Sequence, residues 1–214
     1  MKRKALFLLF YCSTLFAFSA NIYVTTNGDD ALDGTSWESS KFSIQAAIDA
    51  SSLGDTVFIA EGIYNQSIKV KDGVHLFGGY DASTGKRNCE VHSTILDGSG
   101  LEKAIINQTS TFKNITYFDG LILQNANHSS NGGAVILKSN GILNNCTISN
   151  CYTSGSGGAV YNSKGTIANC LIELCESMGA GGAVHNLGGT VENTIIRGCK
   201  GNYAAIRNES NGVV

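Results

Sequence analysis

Asn27, Asp29, Asp30 and Asp33 crowd four oxygen-bearing side chains into one short segment, the spacing best suited in this chain to holding a hard cation such as Ca²⁺. The spacing is not that of an EF-hand loop. A solvated turn held by Asx hydrogen bonds explains the same residues, and both readings stand at this level. No other cofactor is expected. Acid–base catalysis requires a pair of titratable groups brought together. The last aspartate is Asp119, and beyond it the only acids are Glu173, Glu176, Glu192 and Glu209. His185 lies in Val184-His185-Asn186. Arg197 and Glu173 stand one repeat apart, as a surface ion pair would. The expectation is therefore no catalytic residue and no cofactor-binding residue.

Cysteines and asparagines form columns. Cys146 pairs with Cys170, and Cys151 with Cys175 and Cys199, never as Cys-x-x-Cys. A linear ladder does not converge four ligands on zinc. Buried thiols are the leading reading, with one inter-repeat disulfide as the alternative. Asn145, Asn169 and Asn193 form one amide column, and Asn162, Asn186 and Asn208 another. Stacked amides bond to one another along such columns, which makes them structural.

These columns imply the elements that carry them. Gly132-Gly133-Ala134-Val135, Gly157-Gly158-Ala159-Val160 and Gly181-Gly182-Ala183-Val184 each open a unit of about 24 residues. Positions 143/167/191 and 148/172/196 are apolar in every unit, while 144/168/192 and 149/173/197 are mixed. That is the inward–outward alternation of strands. Asn125 is placed one unit upstream in the column of Cys151. Glycine at this density would cost a helix roughly 1 kcal/mol per residue. Proline is absent, which suits a chain whose N–H groups join strand ladders. The fold class is all-β, a right-handed parallel β-helix with a short N-terminal capping helix near Ser43–Ser51. Ser40 or Ser43 caps that helix and Gly54 ends it.

Lys2-Arg3-Lys4, an apolar run to Phe18, and Ala17-Phe18-Ser19 before Ala20 have the layout of a secretory signal peptide over residues 1–19. Residues 20–214 then form a single β-helix domain: 20–80 the cap and first rungs, 81–214 the later rungs. Losing the three basic residues of the leader takes the formal net charge from −2 to about −5. Such a chain is a poor partner for nucleic acid, and no later apolar run is long enough to span a membrane. The C-terminal end offers no capping helix, so residues after about Asn208 are expected to be poorly ordered and the last rung to self-associate.

Tyr23-Val24…Asn27-Gly28-Asp29…Gly34-Thr35-Ser36-Trp37, Ile44-Gln45-Ala46-Ala47-Ile48…Gly54-Asp55-Thr56-Val57, Gly62-Ile63-Tyr64 and Gly78-Gly79-Tyr80 resemble the N-terminal cap of secreted right-handed β-helix proteins of the pectate-lyase-like superfamily. The Gly-Gly-Ala-Val units resemble the repeats of polymorphic outer membrane proteins. The resemblance implies export to the surface or outer membrane of a Gram-negative bacterium. It also implies an adhesin-like scaffold contacting glycans or cell-surface partners, or a fragment of one. The alternative is a polysaccharide lyase or hydrolase for acidic polysaccharides, drawing its acids from loops between Asp72 and Asp97.

Overall fold

The computed structural model describes residues 19–214; apart from Ser19, the predicted signal peptide lies outside the described residues. The chain winds as a right-handed parallel β-solenoid. Seven strands stack from Asn21–Val24 to Thr190–Glu192 as the first face, six from Gly62–Tyr64 to Ile195–Arg197 as the second, and six from Ile68–Lys69 to Ile206–Glu209 as the third. A minor sheet of three two-residue strands, such as Tyr152–Thr153, lies between the second and third faces. Neighbouring strands in all four sheets pair in parallel, for example Val135 with Val160 and Val160 with Val184.

The core follows the predicted alternation. Leu143 and Ile167 stack in one inward column, Ile148 and Ile172 in another, all fully buried. Burying each such side chain contributes about 1.5–3 kcal/mol. The register differs from the sequence reading at one point. Ser139 and Asn140 form a two-residue turn where the later units have one residue, Lys164 or Gly188, so Val135 pairs with Val160 at an offset of 25 while Leu143 pairs with Ile167 at 24. Upstream the offset is also 25: Gln124 pairs with Ser149. The residue beneath Cys151 is thus buried Ala126, not Asn125.

The Gly-Gly doublet has two separate causes. Gly157 has φ +76°, where a side chain is strained. Gly158 has no room for one, since a Cβ would lie 2.0 Å from the carbonyl oxygen of Gly182 on the next rung.

A second rule governs the corners. Asn145, Asn150, Asn169 and Asn193 are left-handed, with φ of 50°, 54°, 54° and 43°. The next residue is Cys146, Cys151, Cys170 or Thr194, whose Sγ or Oγ1 donates to the carbonyl two residues back at 3.1, 3.1, 3.1 and 2.8 Å. Each of these carbonyls also accepts a backbone N–H from the preceding rung, so the side chain adds a second hydrogen bond at the corner. All six described cysteines are free thiols. The thiol–thiol contact with Cys151, reinforced by burial, pushes Cys175 up to about 12.

The N-terminal end is closed by the helix Ile44–Ala50. Ser43 is its N-cap, accepting from the Ala46 N–H at 3.1 Å, and Ile44, Ala47 and Ile48 cover the core. The helix ends at Ser51 rather than at Gly54. Gln45 accepts from the Lys69 N–H at 2.8 Å and donates to the Lys69 carbonyl at 3.3 Å, blocking the free edge of the third face. At the other end the chain beyond Asn208 is not loose. Ile206–Glu209 pairs with Val184–Leu187, and the Val213 N–H donates to the Gly189 carbonyl at 2.9 Å. The pairing continues because the buried amide of Asn186 reaches Asn208.

Candidate functional site

The outward positions of the second face form a column: Ile63, Ile95, Ile122, Thr147, Leu171 and Ile195. Five of the six are aliphatic. The end members Ile63 and Ile195 are 63% and 65% exposed. At a strand spacing near 4.8 Å the six positions make a straight apolar stripe about 24 Å long. Polar columns flank it. On one side run Gln124, Ser149, Glu173 and Arg197, the last two joined at 2.6 Å as expected from sequence.

On the other side runs a hydrogen-bonded amide ladder. Its foot is the Arg87 guanidinium, which bonds Asp119 and stacks 5.1 Å from the centroid of Phe77. Asp119 accepts from Asn144 Nδ2 at 2.5 Å, Asn144 Oδ1 accepts from Asn169 at 2.7 Å, and Asn169 Oδ1 accepts from Asn193 at 2.5 Å. Between ladder and stripe is a recess of about 360 Å³, lined by Asn145, Asn169, Asn193, Thr147, Leu171 and Ile195 among others. Sequence periodicity places Asn145 in line with Asn169 and Asn193, but the amide that bonds Asn169 is that of Asn144; the foot, Arg87 and Asp119, lies outside the repeats.

A second recess of about 780 Å³ opens at the N-terminal end of the third face. Lys69, Lys71 and Lys103 line it against one carboxylate, Asp49, with Asn107 and His128 at its far side. Lys71 is engaged, its Nζ donating to the carbonyls of Asp49 and Ser51 at the helix end at 2.7 and 3.1 Å. Among the described residues Lys69 and Lys103 have no ion-pair partner.

The predicted cation ligands do not converge. Asp30 accepts from the N–H groups of Phe42 and Ser43 at 2.9 and 2.8 Å and from the Ser43 hydroxyl at 2.7 Å, tying the loop to the helix start. Partial burial pushes its carboxyl up, but these hydrogen bonds and the Lys41 charge outweigh that and hold it below the usual range. Asp33 accepts from Thr35 and Ser39, and Asp29 from the Ala31 N–H. Donors already point at these oxygens, which makes the segment a hydrogen-bonded latch. Asn27 and Asp29 share a recess of about 350 Å³ beside Trp37. Among the described residues no group of three or more His, Cys, Asp or Glu side chains could hold a metal ion.

The loop acids are likewise dispersed. Asp72 accepts from the N–H groups of Lys113 and Asn114, Asp81 from Ser83 and Thr84, and Asp97 from Ser99 and Gln124. Among the described residues there are two histidine–glutamate contacts, His92–Glu61 at 2.9 Å and His185–Glu209 at 3.8 Å. Neither belongs to the recess beside the stripe or to the lysine-lined one. No helix of the described residues is long and apolar enough to cross a membrane.

Comparison with curated proteins gives no match, and comparison with solved structures gives none. One family matches over residues 26–213, nearly the whole solenoid: the protein of unknown function family DUF1565. The chain, a parallel β-solenoid with a stripe-and-ladder face, belongs to the DUF1565 family.

Proposed function

We propose that the protein is an exported, non-catalytic scaffold that contacts glycans along its second face. The observation carrying this reading is the aliphatic stripe of that face with amides on one flank and Gln124, Ser149, Glu173 and Arg197 on the other. A pyranose ring has apolar C–H faces and a polar rim. A straight apolar track between rows of donors and acceptors matches both at once, and rungs near 4.8 Å apart offer an extended sugar chain one similar contact per rung. The lysine-lined recess adds a cationic end for ligands that carry acidic groups. The likeness to exported β-helix proteins and the N-terminal leader pattern support placement at the bacterial surface.

The test is titration calorimetry of the full processed chain with neutral β-linked oligosaccharides and with oligogalacturonate. Binding is expected to depend on chain length, to weaken at least tenfold in Leu171→Asp, and to leave the sugars uncleaved. Absence of binding to either class, or equal binding by Leu171→Asp, refutes the contact face. Steady release of shorter sugars refutes the non-catalytic reading.

A further inference from the structure

Asp55 is a carboxylate only 6% exposed, and among the described residues it has no cationic partner. A buried carboxylate without a cation is costly, and proteins seldom retain one without compensation. Its two oxygens are aimed. Oδ2 accepts from the Ser52 N–H at 2.7 Å, closing the turn after the capping helix. Oδ1 accepts from the backbone nitrogen of Ala20 at 2.7 Å. Ala20 is held in place by the sheet, since its carbonyl accepts from the Thr56 N–H at 3.0 Å and the next residues, Asn21–Val24, pair with Thr56–Ile59. Ala20 is also the residue that follows Ala17-Phe18-Ser19, the small–bulky–small pattern of a leader cleavage site.

We propose that the chain is cut between Ser19 and Ala20, and that Asp55 is the built receptor for the α-ammonium this creates. A signal peptidase would add water across the Ser19–Ala20 peptide bond. Ser19 leaves with the new carboxylate, and Ala20 keeps the nitrogen, which takes up a proton. The amide donor already 2.7 Å from Asp55 Oδ1 thereby becomes a cation without moving. Of the contacts described here, the cut removes the hydrogen bond from Ser19 Oγ to the Gly54 carbonyl. Processing thus supplies the missing counter-charge at the seam between the first strand and the capping helix. This inference rests on the export reading, and its test separates the two.

The exported protein is analysed by intact mass and N-terminal sequencing. In parallel, a chain beginning at Ala20 is made by cleavage of an N-terminal fusion, together with one that keeps Ser19, each with Asp55 and with Asp55→Asn. The α-amine of an unfolded chain titrates at roughly 8. Pairing with Asp55 raises that value in the folded state. The added stability is therefore complete below about pH 8 and is lost as pH rises through the raised value. The Ala20 chain is expected to melt several degrees higher at pH 7 than the Ser19 chain and to lose that margin by pH 10–11, and Asp55→Asn should abolish the difference. Should Asp55→Asn fail to fold, acylation of the native Ala20 amine at pH 8 gives the second readout, expected at least tenfold slower than in the denatured chain. A first residue other than Ala20 in exported protein refutes the cleavage site. Equal melting of the Ala20 and Ser19 chains, or unhindered acylation, refutes the receptor even where cleavage at Ala20 is correct.

Discussion

Replacing Asn162 by alanine separates the two amide columns of this protein by energy. Asn162 is fully buried. Its Oδ1 accepts from the Gly165 N–H at 2.9 Å, and its Nδ2 donates to the Gly165 carbonyl at 3.1 Å and to Asn186 Oδ1 at 2.8 Å. The Gly165 carbonyl has a second donor, the Thr190 N–H, and would remain satisfied. The Gly165 N–H and the Asn186 oxygen would be stranded. Each stranded buried group costs about 1–3 kcal/mol, so the loss should be about 2–6 kcal/mol. Asn169 is the same residue type in the exposed column. Its φ is +54°, so glycine is the fair replacement, and the loss should stay near 0.5 kcal/mol. The assay is urea denaturation of both variants with the slope held common, reading the shift in midpoint. Equal losses, or a larger loss at Asn169, would refute the division into a core ladder and a surface ladder.

Ile172→Ala should cost about 2–5 kcal/mol and Glu173→Ala no more than about 0.5 kcal/mol in the same assay, since the two neighbours face opposite sides of one strand. With Cys175 pushed up to about 12, native protein at pH 8 should alkylate slowly there, while the unfolded chain reacts fully; mapped Cys175–Cys199 bridges would contradict this. Asp30 and Asp97 are held below the usual carboxylate range because hydrogen bonds, chiefly from Ser43 and Ser99, outweigh their partial burial. Their contribution is therefore complete above about pH 4 and lost as pH falls through the depressed values, and Asp30→Asn should flatten that acid limb of the melting curve. Ile195, Tyr203, Val213 and Val214 are exposed on and around the last rung, so sedimentation should show concentration-dependent association that Ile195→Lys reduces.

The solenoid was legible because a stack repeats its inward residues. The columns of Ile148 and Leu143 announce their own spacing. What slipped was the place where one rung satisfies its backbone differently. In the rung with Leu137 at the position of Asn162, the longer Ser139-Asn140 turn is held by Gln108 from the rung below. Gln108 accepts from the Lys138 N–H at 2.8 Å and donates to the Ser139 carbonyl at 3.1 Å. Nothing periodic marks Gln108, so the repeat pattern does not signal the extra residue and places Asn125 one position off. The contact face was half legible. Alternation identifies Leu171 and Ile195 as outward, but only pairing with Ile122, Ile95 and Ile63 turns them into a stripe. At the Asn27–Asp33 cluster, spacing shows which oxygens are near and not which donors reach them. Ser43, which takes Asp30, is ten or more residues away.

The exposed amide ladder has a direction. Every NH₂ group from Asn144 to Asn193 points toward the Arg87–Asp119 foot, and every carbonyl points toward the last rung. The dipoles add head to tail, so the column ends at Asn193 as an acceptor facing outward. A further rung of the same polarity would present its NH₂ to that oxygen and lengthen the chain of dipoles. Two copies meeting last rung to last rung would instead set carbonyl against carbonyl. Growth of this surface is one-way, and the polarity fixed by a single buried-edge carboxylate, Asp119, sets which end of the molecule can be extended.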